Sequence, residues 1–146
     1  MPEPAEIPES LQRRLSYVLG RLHRRSLALE ADALAPVGTG VKQHAALAVL
    51  ADEGPMSQQE LGQRLGIDRT TVVAVVDALE DSGLVERTRA PGDRRSYLVT
   101  PTRKGKDALR SGRRAVRDAE RALLKGLGAQ ERRTLTELLA RALAAQ

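Results

Sequence analysis

A chain of 146 residues has the size of one domain and is long enough to bury a core of its own. The absence of cysteine excludes disulfides, thiolate metal sites and thiol-based redox sensing. A formal net charge of +5 permits nucleic acid as a partner but does not require it, because a solvated surface or attraction to a membrane surface gives the same balance.

The hydrophobic residues, 41% of the chain, are almost wholly Leu, Ala and Val, with Tyr17 and Tyr97 as the only aromatics. Cores built this way are usually helical. No stretch approaches the roughly eighteen continuous apolar residues of a membrane span, and the N-terminus shows neither a basic leader nor an apolar h-region, so the expected location is the cytoplasm, with no membrane partner.

Residues 1–9 contain three prolines and three glutamates and read as a disordered acidic tail ahead of a single domain, 10–146. From Ser10, Leu11, Leu15, Val18, Leu22 and Leu29 fall on one stripe, which predicts a helix of about twenty residues. Pro36, Gly38 and Gly40 end that pattern. Val41 to Ala51, with Leu47 and Leu50 at helical spacing, predicts a scaffold helix.

Ser57-Gln58-Gln59-Glu60 is a capping box that starts the next helix, with Leu61 and Leu65 inward. Gly66 is suited to a left-handed cap, and Asp68 to capping a following helix over Arg69 to Ser82. In that second helix Val72, Val75, Val76 and Leu79 make the apolar face and leave Arg69, Thr70, Val73, Ala74 and Asp77 outside. Two helices so close suggest helix-turn-helix. Leu84–Arg89 and Arg95–Thr100 are β-prone runs joined by turn formers at residues 90–94, which reads as a wing.

After the wing, Leu109, Gly112, Val116, Ala119, Leu123 and Gly126 form a small apolar seam suited to close helix contact. Leu135, Leu138, Leu139, Ala142 and Leu143 make a stripe on a last helix, Ala129 to Ala144. The fold class is thus mainly α with a small β wing.

Duplex binding needs cations for phosphates and donors of fixed geometry for bases. Arg69 is suited to bidentate contact with guanine, and Thr70 and Thr71 share the first helical turn, where amides and hydroxyls favour phosphate. Val73 and Ala74 offer either thymine-methyl contact or a purely structural role. Arg94 and Arg95 form a basic wing tip, and Arg103 and Lys104 adjoin the wing within reach of phosphate. His23 and His44 lie on different predicted helices with no triad, metal-ligand or phosphate-loop arrangement, so neither enzyme activity nor a cofactor or metal is expected. The alternative reading is a winged-helix protein-interaction module without specific DNA binding.

Gly66-Ile67-Asp68-Arg69-Thr70-Thr71, Leu79-Glu80-Asp81-Ser82-Gly83-Leu84-Val85-Glu86-Arg87, Asp93-Arg94-Arg95-Ser96, and Thr102 with Gly105 together resemble the MarR family of bacterial winged-helix regulators. The resemblance is detailed over 57–105. It implies a winged helix-turn-helix at 41–101, with dimerisation helices at 10–35 and 102–146 that interlock with a second copy, although the terminal stripes would equally pack as core within one chain. It also implies a homodimeric regulator, acting as a repressor, on double-stranded DNA with a pseudo-palindromic operator, which two recognition helices about 34 Å apart would match. Arg95 is then assigned to the minor groove, with Asp93 orienting its guanidinium. Gln43 matches a glutamine often present in the family. Release by a small aromatic or anionic effector between the dimer helices and the winged region is implied too, with Tyr17, Arg21, His23 and His44 as candidate contacts. Two positions depart from the family pattern: Pro101 where leucine is usual, and Val73-Ala74 where polar residues are frequent.

Overall fold

The computed structural model describes residues 6–146, which form two compact units: residues 30–116, and the segments up to Leu29 and from Arg117 onward. The expected acidic tail lies outside the described residues as far as Ala5. Its last residue, Glu9, belongs instead to a one-turn helix, α1 (Glu9–Gln12). The single helix expected from Ser10 is therefore broken at Arg13-Arg14 before α2 (Leu15–Leu34), a break that nothing in the sequence marks.

In the unit formed by 30–116, a 3-10 turn (Ala35–Val37) leads to α3 (Val41–Glu53), whose start is held by the Gly40 amide donating to Gln43 Oε1 at 2.7 Å. That is the local role of Gln43. Helix α4 (Gln58–Leu65) begins in the expected capping box: the Glu60 amide donates to Ser57 Oγ at 3.2 Å and the Ser57 amide to Glu60 Oε2 at 2.9 Å. Gly66 closes α4 at φ 63°, in the left-handed region that glycine enters without a side-chain clash. Helix α5 (Arg69–Asp81) starts three residues later, with the Thr71 amide on Asp68 Oδ1 at 2.9 Å.

The three-four spacing of apolar residues on α5 does what the sequence implies. Val72, Val76 and Leu79 are at most 2% exposed and pack with Leu47, Leu50 and Leu61 of α3 and α4, and with Leu84, Val85 and Val99 of the wing, in one core. Burying a side chain of this size contributes about 1.5–3 kcal/mol.

The wing is an antiparallel pair: β1 (Val85–Ala90), of the expected length but set one residue later, and β2 (Asp93–Pro101), which extends beyond the expected run at both ends, with a turn reduced to Pro91-Gly92. The ladder runs regularly from Val85 opposite Pro101 to Arg89 opposite Tyr97, then jumps to Ala90 opposite Asp93. Arg94, Arg95 and Ser96 are thereby bulged out of the pairing, a kink of the kind that re-aims side chains.

Helix α6 (Arg103–Leu123) stops before Gly126, and α7 (Ala129–Ala144) has the expected bounds. The first turn of α6 is tied to the end of α5. Thr102 donates its amide to the Leu84 carbonyl at 3.0 Å and its hydroxyl to the Gly83 carbonyl at 2.6 Å. A Cβ at Gly105 would fall 2.0 Å from the Leu84 carbonyl oxygen, so only glycine permits this approach.

In the second unit, Ala119 is buried but α7 buries no residue, and Leu15, Leu138 and Leu143 are 71%, 53% and 76% exposed. None of the helices among the described residues is long and apolar enough to cross a membrane.

Candidate nucleic-acid interface

The exposed N-terminal turn of α5 carries Arg69 and Thr70, both open to solvent. The Asp68 cap fixes where that turn begins. Its carboxylate accepts the hydroxyl of Thr71 at 2.6 Å as well as the amide, and these two bonds hold the Asp68 carboxyl below the usual carboxylate range. Thr71, expected to donate to phosphate, therefore spends its hydroxyl proton inside the cap. Arg69 and Thr70 are left exposed beside the cap. Ala74 is exposed and Val73 half-buried, so Ala74 is the freer of the two for apolar contact with a base.

At the wing tip, Asp93 behaves differently from the expectation. Its carboxylate accepts the Ser96 hydroxyl at 2.5 Å and the Arg95 backbone amide at 2.9 Å, and does not bind the Arg95 guanidinium. A short acidic side chain reaches local donors within two or three residues more easily than the end of a long extended one. Those bonds, the Ser96 hydroxyl foremost, hold the Asp93 carboxyl below its ordinary range. Asp93 thus shapes the bulge rather than one arginine. Arg89 braces the same bulge from the other strand, donating to the Arg94 carbonyl and lying 5.3 Å from the Tyr97 ring centroid in a cation–π contact.

Among the described residues, the guanidinium groups of Arg69, Arg94, Arg95 and Arg103 have no ion pair or hydrogen bond, and all four residues are exposed. Lys104 does not share this freedom. Its ammonium donates to the Ser82 carbonyl at 2.7 Å, which caps the end of α5 and gives it a role other than the expected phosphate contact. Basic side chains at a helix C-terminus are favourable there because the last carbonyls carry partial negative charge.

Sequence reasoning overlooked Arg87. From β1 it donates through Nη2 to Asp77 Oδ1 at 2.6 Å and to Gln58 Oε1 at 3.0 Å, and through Nη1 to Glu80. Asp77, expected on the free outer face, is therefore occupied. The detectable signal was a pair of acids, Asp77 and Glu80, near the C-terminal end of a helix, where the dipole disfavours them.

The candidate effector contacts fall in both units. Tyr17, Arg21 and His23 lie on the part of α2 that belongs to the terminal unit, where a recess of about 810 Å³ is lined by His23 with Leu19, Leu22, Arg117, Leu124 and Leu135, but by neither Tyr17 nor Arg21. His44 belongs to the other unit. There its Nδ1 is buried without a partner and lies against Gly112, where a Cβ would sit 2.5 Å from it. Burial foremost, then the charge of Arg113, lowers its pKa below the ordinary 6.5, with Glu30 opposing.

A helix pair presenting two free donors on its second member, followed by a hairpin with a bulged basic tip, defines a winged helix-turn-helix of the nucleic-acid-binding kind. The MarR family model matches residues 37–96. The chain is 34% identical to the transcriptional repressor CouR solved on a 23-mer DNA duplex, with a TM-score of 0.85 over 95% of this chain and 99% of that one. It is 26% identical to CouR from Rhodococcus jostii RHA1 solved with p-coumaroyl-CoA, with a TM-score of 0.77 over 90% and 93% of the two chains. A putative transcriptional regulatory protein for the hcr operon of Thauera aromatica is 37% identical over 95 residues, 65% of this chain; the chain spans 57% of that relative's length. The protein belongs to the MarR family of winged-helix transcriptional regulators.

Proposed function

We propose that the protein is a sequence-specific DNA-binding regulator, a repressor that binds a pseudo-palindromic operator as a homodimer and is released by a small aromatic or anionic effector. The observation that carries this reading is the set of unpaired, exposed cations at the start of α5 and on the wing bulge, held in place by the Asp68 and Asp93 bonds. Arg69 reads base edges in the major groove, Thr70 contacts phosphate beside it, and Ala74 with Val73 adds apolar contact. Arg95, with Arg94, enters the adjacent minor groove, and Arg103 contacts the backbone.

The exposed leucines of α2 and α7 favour residues 10–35 and 102–146 as dimerisation helices around a winged region at 41–101. Solved relatives on a DNA duplex and with an aromatic acyl-CoA support the duplex partner and the kind of effector. Within the terminal unit His23, on the recess, is favoured as an effector contact ahead of Tyr17 and Arg21, and within the winged-helix unit the candidate is His44, with its unpartnered Nδ1. The reading is non-enzymatic and places the protein in the cytoplasm, where a bacterial chromosome lies.

Selection from random duplexes followed by mobility shifts across salt concentrations tests this. Enrichment of a two-fold-related site, bound progressively more weakly as salt rises, is expected. No duplex binding at low salt would instead leave a winged-helix interaction module.

A further inference from the structure

Residues 69, 73, 77 and 80 recur at offsets of four, four and three, so the face of α5 that presents Arg69 also presents Asp77 and Glu80. Carboxylates are unfavourable there for two separate reasons. They lie in the last turns of a helix, where the dipole disfavours negative charge, and on a face that approaches phosphates.

A cation set among them from another element removes both penalties. Arg87 of β1 is the group that does so: its side chain is 28% exposed, against 53% for Asp77 and 40% for Glu80, and it reaches both acids and Gln58 of α4 at once. The hydrogen bond to Asp77 foremost, with the charge of Glu80, raises the guanidinium pKa above its ordinary value, against the opposing effect of burial. The group is charged under all working conditions.

We propose that Arg87 is a positioning residue for duplex binding, which masks Asp77 and Glu80 from the DNA phosphates and holds the wing strand against the recognition helix while touching no DNA itself. This rests on the DNA-binding reading above. A brace that served folding alone would differ in one respect: its loss would not be repaired by neutralising the acids it binds. Partly exposed ion pairs contribute little to stability, so a folding role by itself gives Arg87 a small effect.

The test uses the full-length chain and a duplex selected by the wild type, with affinity measured across salt concentrations and melting temperature and particle size measured alongside. Arg87→Ala should bind about tenfold more weakly at low salt, with the deficit shrinking as salt screens the two uncovered carboxylates. Arg87→Gln, which keeps hydrogen bonding but not charge, should show the same deficit. Adding Asp77→Asn and Glu80→Gln to Arg87→Ala should recover at least half of the lost affinity on a logarithmic scale. Wild-type affinity in both single variants, or a triple variant as weak as Arg87→Ala, overturns the proposal while leaving DNA binding intact. A wild-type chain that selects no duplex overturns both readings.

Discussion

The two units of the chain spend their leucines differently. In residues 30–116, Leu47, Leu50, Leu61 and Leu79 are each at most 2% exposed, and the core they share is complete within the chain. In the terminal unit, Leu15, Leu138 and Leu143 remain more than half exposed, and α7 buries nothing. Apolar stripes at helical spacing occur in both, so the pattern itself does not separate them. What differs is whether the chain supplies the other half of the contact. The winged-helix unit does, and the terminal helices do not, which is why a second copy is assigned to them.

A pair of substitutions separates the units most sharply. Leu61→Ala should lower stability by about 2–5 kcal/mol, through lost transfer energy and the cavity left behind, and should do so at any protein concentration. Leu138→Arg should leave the folding of the single chain nearly unchanged, because that side chain is 53% exposed, yet abolish self-association, since an unpaired charge in a covered apolar seam costs several kcal/mol. Sedimentation or light scattering at several concentrations reads the second effect, and equilibrium unfolding the first. A Leu138→Arg chain that remains dimeric removes the distinction drawn between the units.

A smaller effect should arise within the winged-helix unit alone. His44 is held with a lowered pKa by burial and by Arg113, so the unfolded chain binds its proton more readily than the folded one. Stability contributed by neutral His44 is then fully present above the ordinary value of 6.5 and diminishes as pH falls through and below it. The melting temperature should fall between about pH 7.5 and 5.5, and His44→Gln should flatten that slope. An identical slope in the variant would show that another group carries the response.

Much of this was legible in the sequence because it depends on contacts within a few residues. The Ser57–Glu60 box, the Asp68 cap, Gly66 and the Val72–Leu79 face are local, and each appears where spacing predicts it. What was not legible depends on pairings across elements. Arg87 reaches α5 and α4 from β1, and Lys104 reaches back to the Ser82 carbonyl, neither of which the sequence register announces. The wing bulge was hidden for a related reason: β propensity identifies the runs, but the three-residue jump in pairing is set by Asp93 accepting from Arg95 and Ser96. The resemblance makes Asp93 a partner for the Arg95 guanidinium, whereas its bonds are to the Arg95 backbone amide and the Ser96 hydroxyl.

The most direct test of the account is a chemical footprint of the selected duplex with the full-length protein, probing guanine N7 in the major groove and adenine N3 in the minor groove. Two recognition helices on a two-fold dimer should protect two major-groove patches on one face of the duplex, about one helical turn apart, each with minor-groove protection beside it from the wing. Arg69→Ala should erase the major-groove patches while sparing the minor-groove ones. Protection confined to a single patch, or major-groove protection that survives Arg69→Ala, would contradict the placement of α5 and the dimer that presents it.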